Sequence, residues 1–124
     1  MNKATLLFRQ IHPNFLPKGE VSSQAFFPFP KDDGKLSVYD GDQIGAAVSH
    51  SHYTAQLRLE SAGVWALNGD EVDMVLLRYL SDPVPGNPAH AVVNFGDLNE
   101  RECRKLSKKL KRFAIERGCM YRPE

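Results

Sequence analysis

Hydrophobic positions along this chain switch several times between a period of two and a period near 3.6, and each switch marks an element. Residues 5–11, TLLFRQI, are apolar and β-prone and predict a first strand. His12-Pro13 ends it, because proline removes a backbone donor and pushes the preceding residue out of the helical region. After a turn over 14–19, the stretch 21–29, VSSQAFFPF, suits an edge strand. Pro28 and Pro30 exclude it from the middle of a sheet. KDDG at 31–34 is a turn. Residues 35–39 then set Leu36 and Val38 against Ser37 and Tyr39, the alternation of a half-buried strand.

The period lengthens from 43 to 58, where Ile44, Ala47, Val48, Ala55 and Leu59 predict a helical stripe with Asp42 as its cap. Residues 61–63 break it, and 64–67 predict a short buried strand. Over 70–81, Val72, Val75, Leu76, Tyr79 and Leu80 keep helical spacing, although MVLLRYL within that stretch also suits a buried strand. Three prolines and a glycine make 81–89 a stiff surface loop, and HAVVNF at 90–95 predicts a strand. The best-defined element is 99–118. Cys103, Leu106, Leu110, Phe113 and Ala114 form its stripe, Asn99 and Glu102 a capping box, and Gly118 a left-handed stop. A last edge strand over 119–122 completes the expectation: one α+β domain over 1–124, with a small mixed sheet, helices on one face and a long basic C-terminal helix.

Charge alters this picture at one place. The net charge is only +1, but residues 1–98 carry a net of −4 and residues 99–124 a net of +5. Seven cations fall within residues 101–112: Arg101, Arg104, Lys105, Lys108, Lys109, Lys111 and Arg112. Like charges one helical turn apart cost a few tenths of a kcal/mol per pair. The apolar stripe must outweigh that. A face of this kind suits an acidic protein partner or nucleic-acid phosphates, through Arg101, Arg104, Lys105, Lys108, Lys109 and Arg112. No aromatic interleaves these cations, which argues against a stacking platform for single strands. The split also permits head-to-tail association of copies of the chain.

Ordinary globular composition, 42% hydrophobic and 25% charged, gives a chain large enough for a core. No apolar run approaches the roughly 18 residues of a membrane span, and the first residues hold too short a run for a signal peptide. Cys103 and Cys119 are then expected as reduced thiols of a cytoplasmic protein.

Candidate chemistry is sparse, and no cofactor or metal is expected. His50 and His52 diverge on a helix, which argues against a shared metal, with His52 partly buried and His50 facing solvent. Asp40 and Asp42 flank a glycine and serve a turn and a cap. Asp33-Gly34-Lys35 is formally an acidic-x-Lys element, but turn chemistry accounts for it. Arg9, His12, Ser23 and Asp42 are the polar groups a small enzyme acting on a nucleotide or nucleic acid would use, and that enzyme requires them in one cleft. Their layout has the outline of ADP-ribosyltransferase-like enzymes but lacks the acidic doublet. No nucleophile elbow supports Ser/His/Asp catalysis, and no Gly-rich phosphate loop is present.

FRQIHP at 8–13, VSSQAF at 21–26 and KLSVYDGD at 35–42 resemble a family of small bacterial proteins. The resemblance is clearest in the first third of the chain and assigns no activity. It implies a bacterial cytoplasmic protein. With the small size, that suggests a non-catalytic interaction or regulatory member of an operon, such as a toxin–antitoxin or defence pair.

Overall fold

Eight elements follow one another in the computed structural model, which describes residues 1–123. They are β1 (Leu6–Ile11), β2 (Lys35–Asp40), α1 (Ala46–Ser51), β3 (Gly63–Asn68), α2 (Gly69–Met74), β4 (Arg78–Ser81), β5 (His90–Asn94) and α3 (Glu100–Arg117). The strands form one sheet in the order β3-β1-β2-β5-β4. Every neighbouring pair is antiparallel, so the sheet is not the mixed one expected. The connections explain this. A parallel pair needs a crossover of about a dozen residues or more, usually helical. Here α1 and α2 span only 6 residues each, and the one long helix follows the last strand of the sheet.

One face of the sheet carries the main core. Leu7, Ile11, Leu36, Val38, Trp65, Leu67, Ala91 and Val93 meet Cys103, Leu110 and Ala114 of α3. The 21–29 stretch also packs here, but not as an edge strand. Ser22 accepts a bond from the Gln24 amide and starts a 3-10 turn over Ser23–Phe26, which buries Ala25 and Phe26 beneath α3. Prolines 28 and 30 leave little room for a ladder, and a short helical turn satisfies the backbone locally. On the second face, Phe8, Tyr39, Val64, Ala66 and Ala89 pack with Ile44, Ala46 and Tyr53. Short helical segments therefore occupy this face too, and helices are not confined to one side.

Two helix expectations change. The 43–58 helix starts at Ala46, capped by Gly45 without a side-chain bond, and after Ser51 widens into a π-turn over His52–Gln56. Its expected apolar stripe faces outward: Val48 is 60% exposed, whereas Ser49 and His50 are buried. A polar chain draws that face inward. Gln10 on β1 donates to Ser49 Oγ at 2.9 Å, Ser49 donates to Ala46 O, and Ser61 donates to Gln10 Oε1. The 70–81 stretch divides. Its first half is α2, opened by a capping box between Asn68 and Glu71. Leu76 then takes a left-handed φ of 62° and is 91% exposed, and the chain continues as edge strand β4. The strand-like half of MVLLRYL is thus realised after Leu76.

The last helix follows its sequence closely. Only half of the expected capping box forms: Asn99 accepts from the Glu102 amide, without a return bond from the Asn99 amide to Glu102 among the described residues, and the buried positions include Cys103, Leu110 and Ala114. Gly118 ends it at φ 94° and ψ 170°, a positive-φ stop outside the left-handed helical well. Beyond it, the expected 119–122 strand reduces to a single bridge between Tyr121 and Val64. No helix among the described residues is long and apolar enough to cross a membrane.

Candidate functional site

Two surfaces concentrate chemistry. The first is the outer face of α3. At the α-helical 100° per residue, the buried positions lie roughly opposite Arg101, Arg104, Lys105, Lys108, Lys109 and Arg112. All six are exposed, as are their chain neighbours only where these are charged: every exposed position from 101 to 112 is Lys, Arg or Glu. Arg104 pairs with Glu100 at 2.9 Å. Among the described residues, Arg101, Lys105, Lys108, Lys109 and Arg112 form no ion pair. The face extends about 16 Å along the helix axis.

The second surface arises from a split in the sheet. β1 and β3 pair through all six β1 residues, but β1 and β2 pair only at Leu7↔Asp40 and Phe8↔Tyr39. Beyond Phe8 the two central strands diverge, which leaves the Ser37 carbonyl without a strand partner on that side. Arg9 fills the gap: its Nη1 donates to Ser37 O at 2.9 Å and its Nε to Ala25 O at 2.8 Å. Burial pushes the Arg9 guanidinium pKa down, opposed by Tyr53 and by Asp32. The group stays cationic at any ordinary pH. Its charge is therefore held in a poorly solvated place without a carboxylate at ion-pair distance among the described residues.

Next to this split lies a cleft of about 520 Å³ bordered by Arg9, His12, Phe15, Phe29, Tyr39 and Tyr53. Phe15 and Phe29 stack at 6.0 Å with their planes 19° apart, forming one apolar wall. Tyr39 contacts His52 Nδ1 through its hydroxyl at 2.7 Å, and His52 Nε2 lies 3.2 Å from Gly86 O. The arrangement that satisfies both contacts has Nε2 donating to the carbonyl and the Tyr39 hydroxyl donating to Nδ1. Burial, then Tyr53, raises the Tyr39 pKa to about 12.

Ser37 and His90 border the same cleft. His90 Nε2 lies 3.2 Å from Ser37 Oγ, and Nδ1 lies 2.8 Å from Asp82 O and 3.2 Å from Asp82 Oδ2. The order of groups is that of a serine nucleophile, its base and an orienting acid. The acid decides against catalytic use. Asp82 is 52% exposed, so water competes for the carboxylate that would have to orient the imidazole. The contacts instead tether the 81–89 loop to β2.

Of the four residues set out for a small enzyme, Arg9 and His12 share this cleft. Ser23 borders a different one, of about 770 Å³, between α3 and Phe27–Pro30 segments of chain. Asp42 lies at the other end of β1, where Thr5 donates to its Oδ2 at 2.6 Å. The four do not form one site. Asp42 does not cap α1 either, because Gly45 holds that position. Asp40 accepts from the Asp42 amide and from Gln43 Nε2, which is turn chemistry. Asp33 and Gly34 both take positive φ in a tight turn.

His50 is buried, not solvent-facing: Nε2 lies 3.0 Å from Ser61 O and the ring leans on Tyr121. His52 is half-buried and hydrogen-bonded, as its sequence position suggested, but toward Tyr39. The two rings engage different partners. No group of three or more His, Cys, Asp or Glu side chains among the described residues is placed to hold a metal. Cys103 is a buried free thiol, its pKa raised by burial and then by Glu102, and Cys119 is an exposed one.

Tyr53, Phe15, Phe29, Ser37 and His90 were not legible as site residues. They come from five separate stretches and share no spacing motif. The one local signal was a charged residue, Arg9, in a mainly apolar strand. Comparisons with protein-family models, curated proteins and solved structures give no match.

Proposed function

We propose that the protein is a non-catalytic interaction protein that docks a polyanion on the outer face of α3, and that nucleic-acid backbone is the partner. The observation that carries this reading is the composition of the exposed face: five cations without an ion-pair partner among the described residues, and no apolar residue among the exposed positions from 101 to 112. Protein interfaces are centred on apolar or aromatic anchors and are depleted in lysine. Phosphate contacts need only Lys and Arg. The buried stripe holds the helix backbone on the sheet, so the cations project from a fixed scaffold and only their side chains lose order on binding.

The test is binding to duplex and single-stranded oligonucleotides across a salt series. If four or five phosphates are contacted, log K should fall with log salt with a slope of about −4 on duplex. The Lys105→Glu, Lys108→Glu, Lys109→Glu, Arg112→Glu variant should lose this binding and keep its far-ultraviolet circular dichroism. Absence of binding at low salt, or the same affinity in the variant, overturns the nucleic-acid reading. Capture of an acidic protein by the wild type alone would reassign the same face to a protein partner.

A further inference from the structure

The Arg9 cleft is independent of the α3 face, and three observations converge there. The first is a cation built into the sheet. Arg9 donates from Nε to Ala25 O of the 3-10 turn and from Nη1 to Ser37 O, the carbonyl that the diverging strands leave open. No buried side-chain nitrogen or oxygen among the described residues lacks a partner. Nη2, which bonds no protein group among the described residues, is therefore not sealed in the protein, and Arg9 borders the cleft. A guanidinium fork of this kind matches the paired oxygens of a phosphate or carboxylate.

The second observation is the wall. Phe15, Phe29, Tyr39 and Tyr53 border the same space, so a flat apolar body has surfaces to lie against. The third is capacity and charge. About 520 Å³ lies within the range of small-ligand sites. Lys31 stands exposed at the border and adds a second cation, with Asp32 as the carboxylate among the described lining residues. Asn14 and Asn87 supply polar groups for ring or sugar edges.

We infer that this cleft binds a small phosphate monoester on a planar ring, of the nucleoside monophosphate class, with the phosphate on the free donors of Arg9 and the ring between the aromatic walls. The Phe15–Phe29 pair fixes one wall before binding, which limits the ordering cost. The phosphate remains partly hydrated at the Lys31 border.

The experiment is calorimetric titration of the full chain with AMP, adenosine and inorganic phosphate, one at a time. AMP should bind, and more tightly than either fragment, because each fragment engages only half of the site. Arg9→Met should weaken AMP at least tenfold. Since Arg9 also holds two carbonyls, Lys31→Glu is the second variant: it sits on the exposed border, should leave the fold intact, and should weaken AMP severalfold while leaving adenosine unchanged. No heat with AMP at millimolar concentration overturns the inference. So does an AMP affinity unchanged in a folded Lys31→Glu protein. The α3 charge-reversal variant should bind AMP as the wild type does, which separates this site from the polyanion face.

Discussion

Single side chains in this protein are set by what the backbone leaves unsatisfied. Tyr39 shows the consequence in solution. Its pKa rises from 10.0 to about 12 on folding, chiefly through burial. Below pH 10 the hydroxyl is neutral in both states and contributes no pH dependence. Between pH 10 and about 12 the unfolded chain ionises first, so stability falls as pH rises through that window. Urea unfolding of wild type and Tyr39→Phe at about pH 9 and about pH 11 checks this: the wild type should lose more stability over that step than the variant. At neutral pH the same substitution should cost roughly 0.5–1.5 kcal/mol, for the lost bond to His52. Little of this could be read from sequence. Tyr39 alternates correctly with Val38, but its partner His52 is placed by a π-turn that no spacing rule anticipates. His50 was misplaced for the same kind of reason. Hydrophobic periodicity cannot register a helix whose buried face is polar, and here Gln10 and Ser49 bond across that interface.

Elements differ in how far their own residues determine them. The 99–118 helix was legible almost whole, because cap, stripe and stop are all local. Its docking was not. Arg117 reaches back to Ala66 O and Glu71 Oε1, both at 2.8 Å, while Glu71 also accepts from the Asn68 amide. One half-buried carboxylate thus joins the start of α2 to the last turn of α3. Glu71→Ala removes both bonds, leaves Arg117 with Ala66 O and no carboxylate, and should cost about 2–4 kcal/mol in urea unfolding, well above a typical exposed pair. Leu110→Ala, at a fully buried stripe position, should cost about 2–5 kcal/mol by the same measurement. The 70–81 segment was only half legible. Helical spacing persists to Leu80, but the left-handed Leu76 and the open edge of β5 turn the second half into a strand. Long-range pairing overrode a local pattern.

At the scale of the whole molecule, the charge split becomes geometry. The net +5 of residues 99–124 is displayed mainly on one helix, and the −4 of the remainder is spread over the body. The α+β class, four of the five strands (β1, β2, β3 and β5) and this asymmetry were visible in the sequence, because each depends on composition or short-range spacing; β4 was only half legible, and the strands expected over 21–29 and 119–122 do not form. The Arg9 cleft was not, because it exists only where two strands fail to pair. That failure has a further consequence. Within the sheet, the ribbons β3-β1 and β2-β5-β4 are joined by two residue pairs, the Gly41 amide donating to Leu6 O and one guanidinium, while α3 packs across both. We expect the amides of the two ribbons to open with different free energies at such a seam. In native-state hydrogen exchange, protection in β2 and β5 should persist under conditions where β1 and β3 have begun to exchange, or the reverse. Arg9→Met should widen the gap between the two ribbons' opening free energies, and a single shared value across all five strands would show that the seam transmits cooperativity in full.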